Sequence, residues 1–282
     1  MNLVKILNIT IHNITMAELL EKIHPNHGGF VVTPNIDHLA KLQKDIDFYR
    51  VYQEADYRVC DSQILVFLSR FLGSPIQEKN AGSDLLPAFC QRYSHDDQVR
   101  IFLLGGPPGA AQKAQESINK KAGRSIVIDS YCPPFGFEKD SDECESIVRK
   151  INQSGANVLA IGVGAPKQEK WMMKYRNHLL HIRTALAIGA TIEFEAGTLS
   201  RAPRWMSNVG LEWLYRVMKD PKRLWSRYFV DSLPVLKSIV MQKIGFYRHP
   251  FCLNGKSSYG EFIHIDNIAL GESSIDQSGE IQ

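Results

Sequence analysis

The stretch VRIFLLGGPPGAAQKAQESINKKAG, residues 99–123, decides how the rest of the chain is read. RIFLL is a short, unbroken apolar run, the pattern of a strand covered on both faces. GGPPG interrupts it, and an Ala-rich helical pattern follows. The same alternation runs outward in both directions. GGFVVTPN (28–35) is a β-rich run stopped by Pro34, followed by a helical stretch from Asp37 to Ala55. DYRVCDSQ (56–63) brings a short strand ending at Asp61, then the helix-like ILVFLSRFL. SIVIDSYCPPFGF (125–137) is strand and loop, residues 143–175 read as helix, strand, loop and helix, and TALAIGATIEFEAG (184–197) closes the series with a buried strand. Short strands alternating with helices imply parallel βαβ units in an α/β sandwich.

Ligands of such sheets sit beyond the carboxyl ends of the strands. The loops of interest are therefore Thr33–Asp37, Cys60–Gln63, Gly105–Gly109, Gly162–Glu169 and Gly189–Gly197. After Gly197 the pattern changes to two helical stretches, about 208–219 and 221–244, divided by Asp220-Pro221, an N-cap followed by Pro at the first helical position. A further strand pattern, EFIHI, lies near 261–265. The expected organisation is an α/β catalytic core over 1–197, a helical appendage over 198–245 and a tail, 246–282, whose polar end suits partial disorder.

Bulk properties narrow the function classes. The 282-residue chain is 44% apolar and 22% charged with a net charge of +3, so no global field points to nucleic acid. Five dispersed Cys, with no CxxC, read as reduced thiols rather than a disulfide frame or zinc site. The opening MNLVKILNITIHNITM reads as a first strand and turn, not a signal peptide, and no segment approaches a bilayer span. These features suggest a cytoplasmic protein whose membrane contact, if any, is peripheral. One local feature departs from this plain background. Residues 201–230 hold seven Lys or Arg against two acids, with six aromatic residues including three of the four Trp.

Several motifs carry candidate chemistry. GGPPGAA fits both a phosphate cradle at a helix N-terminus and a tight strand-to-helix turn, and its two prolines remove donors. GVGAPKQEKW (162–171) lets a ligand approach the backbone and places Gln168 and Glu169 at a helix start, where Gln offers donor and acceptor to a base or sugar edge. Asp45-x-Asp47 resembles a metal-binding DxD but lies in a helical pattern that points the two apart, and Asp140 and Asp142 sit in a polar loop. Thr33, Asn35, Asp37 and Asp61 gather at two strand ends. Asp37 is the expected helix cap; Asp61, between YRVC and ILVF, is where partial desolvation would tune a general base.

Together TPNIDHLAKLQ, CDSQ, AGSDLL, IFLLGGPPGAA, GVGAPKQEKW, EFEAGTLSRAPRW and GLEWLYRVMKDPKRLWSRY resemble, in order and spacing, the WecG/TagA/CpsF glycosyltransferases over roughly residues 3–240. That resemblance implies a Rossmann-like, mainly parallel sheet sandwiched by helices, with a C-terminal helical appendage that helps close the active site and meets the bilayer. It implies an inverting, metal-independent transferase without cofactor, moving an N-acetylmannosamine-type sugar or its uronic acid from a UDP donor to a polyprenyl-diphosphate-linked saccharide in bacterial surface polysaccharide synthesis. By the same resemblance Asp61 is the candidate base, with Thr33 beside the donor sugar or diphosphate. Asn35, Gln168 and Glu193 would hold the nucleotide sugar, and Arg216, Arg223 and Arg227 the diphosphate, in place of a metal. The Trp and Tyr of 201–230 suit an anionic membrane surface on the inner face of the cell membrane. A homo-oligomer is compatible with the sequence.

Two departures from the family pattern concern the donor: Glu193 stands in IEFEAG where Asp is usual, and Lys79-Asn80 precede AGSD where Arg is common. UDP-glucose or another UDP-hexose is therefore the alternative donor. A non-catalytic lipid-linked-sugar binding module is the alternative class, which loss of the base and arginines would mark.

Overall fold

The computed structural model describes residues 2–203, 206, 211–219, 232–253 and 256–257. Its centre is a six-stranded, wholly parallel sheet in the order β4-β3-β8-β7-β5-β6: β3 Gly29–Val32, β4 Tyr57–Arg58, β5 Ile101–Gly105, β6 Val127–Tyr131, β7 Val158–Gly162 and β8 Thr184–Ala187. A separate antiparallel hairpin, β1 Leu3–Ile6 with β2 Ile9–His12, forms the N-terminus.

The continuous apolar runs are strands because both faces of this sheet are covered. Alternate residues of one strand feed different cores. Phe102, Leu104, Leu159 and Ile161 join one cluster with Leu39, Phe48, Ile147 and Trp171; Ile101, Leu103, Val158 and Ala160 join the other with Leu19, Leu85, Phe89, Ala114 and Ile192. One face thus carries α2 Ile36–Leu42, α3 Ile46–Glu54, α7 Ser141–Ser154 and α8 Lys167–Tyr175. The opposite face carries α1 Met16–Lys22, α5 Gly82–Arg92, α6 Ala110–Ala122 and α9 Thr191–Glu195. This is the expected three-layer α/β architecture.

Some local readings change. The helical stretch from Asp37 to Ala55 is two helices, because Asp45 leaves the helical region and its side chain accepts from Phe48 N, starting α3 afresh. The expected strand through Asp61 pairs as a ladder over only two residues, although Val59 N and Asp61 N still donate to Val32 O and Pro34 O. The strand expected in 184–197 occupies only Thr184–Ala187; TIEFE forms α9.

Two helices are described in the region after Gly197. α4 Gln63–Leu72 is followed much later by α10 Glu212–Lys219 and α11 Leu233–Lys243. α11 buries Val235 and Ile239 in the first core, and Gln242 accepts from Leu7 N at 2.7 Å and donates to Lys5 O at 3.1 Å. Residues 1–247 form one unit; a second, 248–282, contains the short antiparallel pair β9 Cys252–Leu253 and β10 Lys256–Ser257. Asp220-Pro221 and EFIHI lie outside the described residues. Among those described, no helix is long and apolar enough to cross a membrane. Cys60, Cys90, Cys132 and Cys144 are free thiols, and burial pushes Cys60 and Cys90 up to about 12, far from reactive thiolates.

Candidate active site

All six strands of the sheet deliver loops to one cleft of about 690 Å³, within the usual range for a small-molecule site. Thr33 and Asn35 follow β3, Asp61 follows β4, Gly106–Pro108 follow β5, and Gly162–Ala165 with Gln168 follow β7. Ile188–Ala190 and Glu193 follow β8, while Pro133–Glu138, after β6, form a sixth wall absent from the loops singled out above. Its signal was the same strand-then-Pro/Gly pattern. Tyr215, on α10, also lines the cleft.

The floor is nearly free of side chains. A Cβ on Gly162 would lie 2.6 Å from Gly189 O, and one on Gly105, at φ +130°, would collide with the Gly162 carbonyl. Glycine is needed at both because three strand ends crowd together here.

On the β3–β4 side, Gly82 N, at the start of α5, donates to Asp61 Oδ1 at 3.0 Å, and Asn35 Nδ2 approaches Oδ2 at 3.5 Å. These donors orient a half-buried carboxylate that lines the cleft. Asn35, not Asp37, caps α2: its Oδ1 accepts from Asp37 N and His38 N, both at 3.1 Å. Asp37 instead sits buried in the first turn, with its Oδ2 accepting from Lys41 Nζ at 2.7 Å. Thr33 is buried, donating to Ala187 O at 3.4 Å. His38, unremarked in the sequence, lines the cleft with Nδ1 2.7 Å from Tyr52 Oη. Burial, and then the charges of Glu169, Asp61 and Asp37, hold the Tyr52 phenol well above its ordinary range, so its hydroxyl stays protonated.

On the β7–β8 side, Gln168 Oε1 accepts from Gly164 N at 3.2 Å and Gly189 N at 3.3 Å. Its Nε2 donates to Glu169 Oε1 at 2.8 Å. Glu169 is fully buried, and burial pushes its carboxyl up to about 7 despite the Gln168 hydrogen bond and the nearby Lys41 charge. At the mouth, Lys167 pairs with Glu138 at 2.9 Å and stands 4.5 Å over the ring of fully exposed Phe135.

The cleft therefore gathers Thr33, Asn35, Asp61, Gln168 and Glu193. Arg216 belongs to α10, but its side chain, like all of Arg223 and Arg227, lies outside the described residues. Asp45 is directed elsewhere: Lys170 Nζ binds both its oxygens, at 2.8 and 2.7 Å. Among the described residues, no three His, Cys, Asp or Glu converge as a metal site.

The model of the Glycosyl transferase WecG/TagA/CpsF family matches residues 4–249. Similar curated proteins include the N-acetylglucosaminyldiphosphoundecaprenol N-acetyl-beta-D-mannosaminyltransferases of Staphylococcus aureus strains MRSA252, MW2 and NCTC 8325. Each is 26% identical over 227 residues, covering 78% of this chain and 86% of the relative.

Proposed function

The chain belongs to the WecG/TagA/CpsF glycosyltransferase family and is a glycosyltransferase, and from that premise we propose that it moves an N-acetylmannosamine-type sugar, or its uronic acid, from a UDP donor to a polyprenyl-diphosphate-linked saccharide, by single displacement without a metal. The observation that carries this reading is the Asp61 carboxylate, held by Gly82 N–H and Asn35 beside Thr33 in a cleft of about 690 Å³. In the proposed step Asp61 takes the proton of the acceptor hydroxyl while that oxygen attacks the anomeric carbon. The bond from that carbon to the diphosphate breaks, and UDP leaves with the electron pair. Attack from the face opposite UDP inverts the centre, so an α-linked donor gives the β product named for the relatives.

The other groups take supporting parts in this reading. Thr33 and Asn35 flank the base, Gln168 and Glu193 hold the nucleotide sugar, and Arg216, Arg223 and Arg227 stabilise the departing diphosphate. A second donor, UDP-glucose or another UDP-hexose, is favoured by one feature: Glu193 lines the cleft where family members usually carry Asp, and its extra methylene moves a carboxylate by about 1.5 Å. A peripheral membrane position is supported by α11, whose Leu233, Leu236, Val240 and Ile244 form one exposed apolar stripe bordered by Lys237 and Lys243. Exposed Phe67 and Phe71 of α4 lie alongside, with Lys243 Nζ 5.8 Å from the Phe71 ring.

The test is UDP release by purified protein over a panel of UDP-sugars with a short-chain lipid-linked GlcNAc acceptor. Turnover with UDP-N-acetylmannosamine is expected. Turnover with UDP-glucose alone would select the second donor, and no acceptor-dependent release from any of them would refute the transferase reading of the cleft.

A further inference from the structure

Gln168 is the point where the sequence reading and the geometry part. A carboxamide was expected to offer both donor and acceptor to a ligand. Yet two backbone N–H groups, from Gly164 and Gly189, aim at the same side-chain atom, so that atom is the carbonyl oxygen, and its acceptor capacity is consumed by the protein. The amide nitrogen spends one N–H on Glu169 Oε1 at 2.8 Å, and its second N–H has no acceptor among the described residues. Gln168 lines the cleft while being only 2% exposed. It therefore presents a donor to the ligand, in one orientation, with no freedom to flip.

The residue that completes this lock is Glu169, a carboxyl group at 0% exposure. Its Oε2 is buried without a hydrogen-bond partner among the described residues, a costly arrangement for a stretch that reads as an ordinary helix start. Lys41 and Asp37 of α2 and Tyr52 of α3 are its charged and titratable neighbours, and Lys41 is itself held by Asp37 Oδ2 and, at 3.1 Å, by Ala165 O.

We propose that Glu169 is a positioning residue that clamps the Gln168 carboxamide, so that the cleft offers an N–H there and selects an acceptor oxygen of the donor substrate, a phosphoryl or carbonyl oxygen. The inference rests on the UDP-sugar reading above. Removing the clamp lets the amide rotate or tilt, so a contact made equally in ground and transition states is lost, which raises KM and leaves kcat nearly unchanged. A merely structural lesion acts oppositely: it lowers the folded fraction, and so apparent kcat, without moving KM.

The experiment is steady-state kinetics in the donor on the full chain, for the parent, Glu169→Leu, Glu169→Gln, Gln168→Ala and the Glu169→Leu/Gln168→Ala double variant. Glu169→Leu should raise donor KM about tenfold or more. Glu169→Gln, whose amide carbonyl still accepts from Gln168, should recover most of that loss. In the Gln168→Ala background Glu169→Leu should change KM by less than about twofold, since the clamp then has nothing to hold. An unchanged KM in folded Glu169→Leu, or an equal rise with and without Gln168, would overturn the proposal. If Glu169→Leu does not fold, the Glu169→Gln and Gln168→Ala pair decides: a rise in KM in Glu169→Gln as large as in Gln168→Ala would overturn it too. A parent that no UDP-sugar saturates would instead refute the donor reading, and the clamp with it.

Discussion

Two carboxyl groups come from opposite halves of the sheet, Asp61 lining the cleft and Glu169 sealed behind it, and they are treated differently. On the β3–β4 side Asp61 is half-exposed and held by a main-chain N–H and an Asn amide. On the β7–β8 side Glu169 is sealed, pushed up to about 7, and bound to the neighbouring Gln168. A group that exchanges protons with a substrate needs access; one that holds another side chain needs isolation. The same functional group serves either purpose according to whether its loop leaves it open or its helix closes over it.

The contrast can be broken most severely at Asp61. Asp61→Asn keeps the shape of the side chain but cannot take a proton, so kcat should fall about 10²-fold or more, with UDP affinity nearly unchanged. A fall of less than threefold, measured with the same acceptor, would remove Asp61 from the chemistry.

Glu169 should show itself in stability rather than proton transfer. Its folded value lies above the ordinary 4.5, so the native state binds the extra proton and stability drops as pH rises from about 4.5 to about 7. At roughly 1.4 kcal/mol per unit the group costs on the order of 3 kcal/mol above pH 7. Glu169→Gln should flatten that limb and be more stable than the parent at pH 8, with a much smaller difference at pH 4.5. Chemical denaturation at the two pH values checks it; parallel pH profiles would mean the carboxyl is not sealed.

A smaller effect is expected away from the cleft, where α11 repeats the open-versus-sealed contrast within one helix. Leu236→Ser with Val240→Ser should reduce binding to anionic vesicles roughly thirtyfold, since each exposed aliphatic contributes about 1 kcal/mol on insertion, while the melting temperature stays within a few degrees. Unchanged sedimentation with vesicles would reassign the stripe. The smallest expected response is to EDTA: turnover should be unaffected, and a loss restored by Mg²⁺ or Mn²⁺ would overturn the metal-independent reading.

The architecture was legible because its signal is redundant. Runs such as IFLLG and VLAIG, buried at nearly every position, can only be strands between two layers of helices. The placing of Asp61, Thr33 and Gln168 at strand ends followed from the same rule. What failed was local. Asn35 and Asp37 are both good caps, and only the backbone settles that Asn35 leaves the helical region. The break before α3 carries no Gly or Pro, so Asp45 looked interior. Burial of Glu169 could not be read from a polar pair at a helix start, because what closes over it, α2 and α3, comes from more than 100 residues earlier; Lys170 meets Asp45 across 125 positions. The acceptor role given to Gln168 failed likewise, since Gly189, which occupies it, lies 21 residues on.

The crowding at Gly105 and Gly162 also bears on how such an enzyme could be redesigned. Where the floor of a cleft is main chain, substitutions there disturb the sheet before they reach the substrate, so the floor offers no handle on the choice of sugar. Side chains that can be exchanged at little cost to folding stand around it, at Glu193 and at the fully exposed Phe135. Attempts to retarget the enzyme to another sugar should begin with those walls, and libraries that vary Gly105 and Gly162 should return mostly unfolded protein.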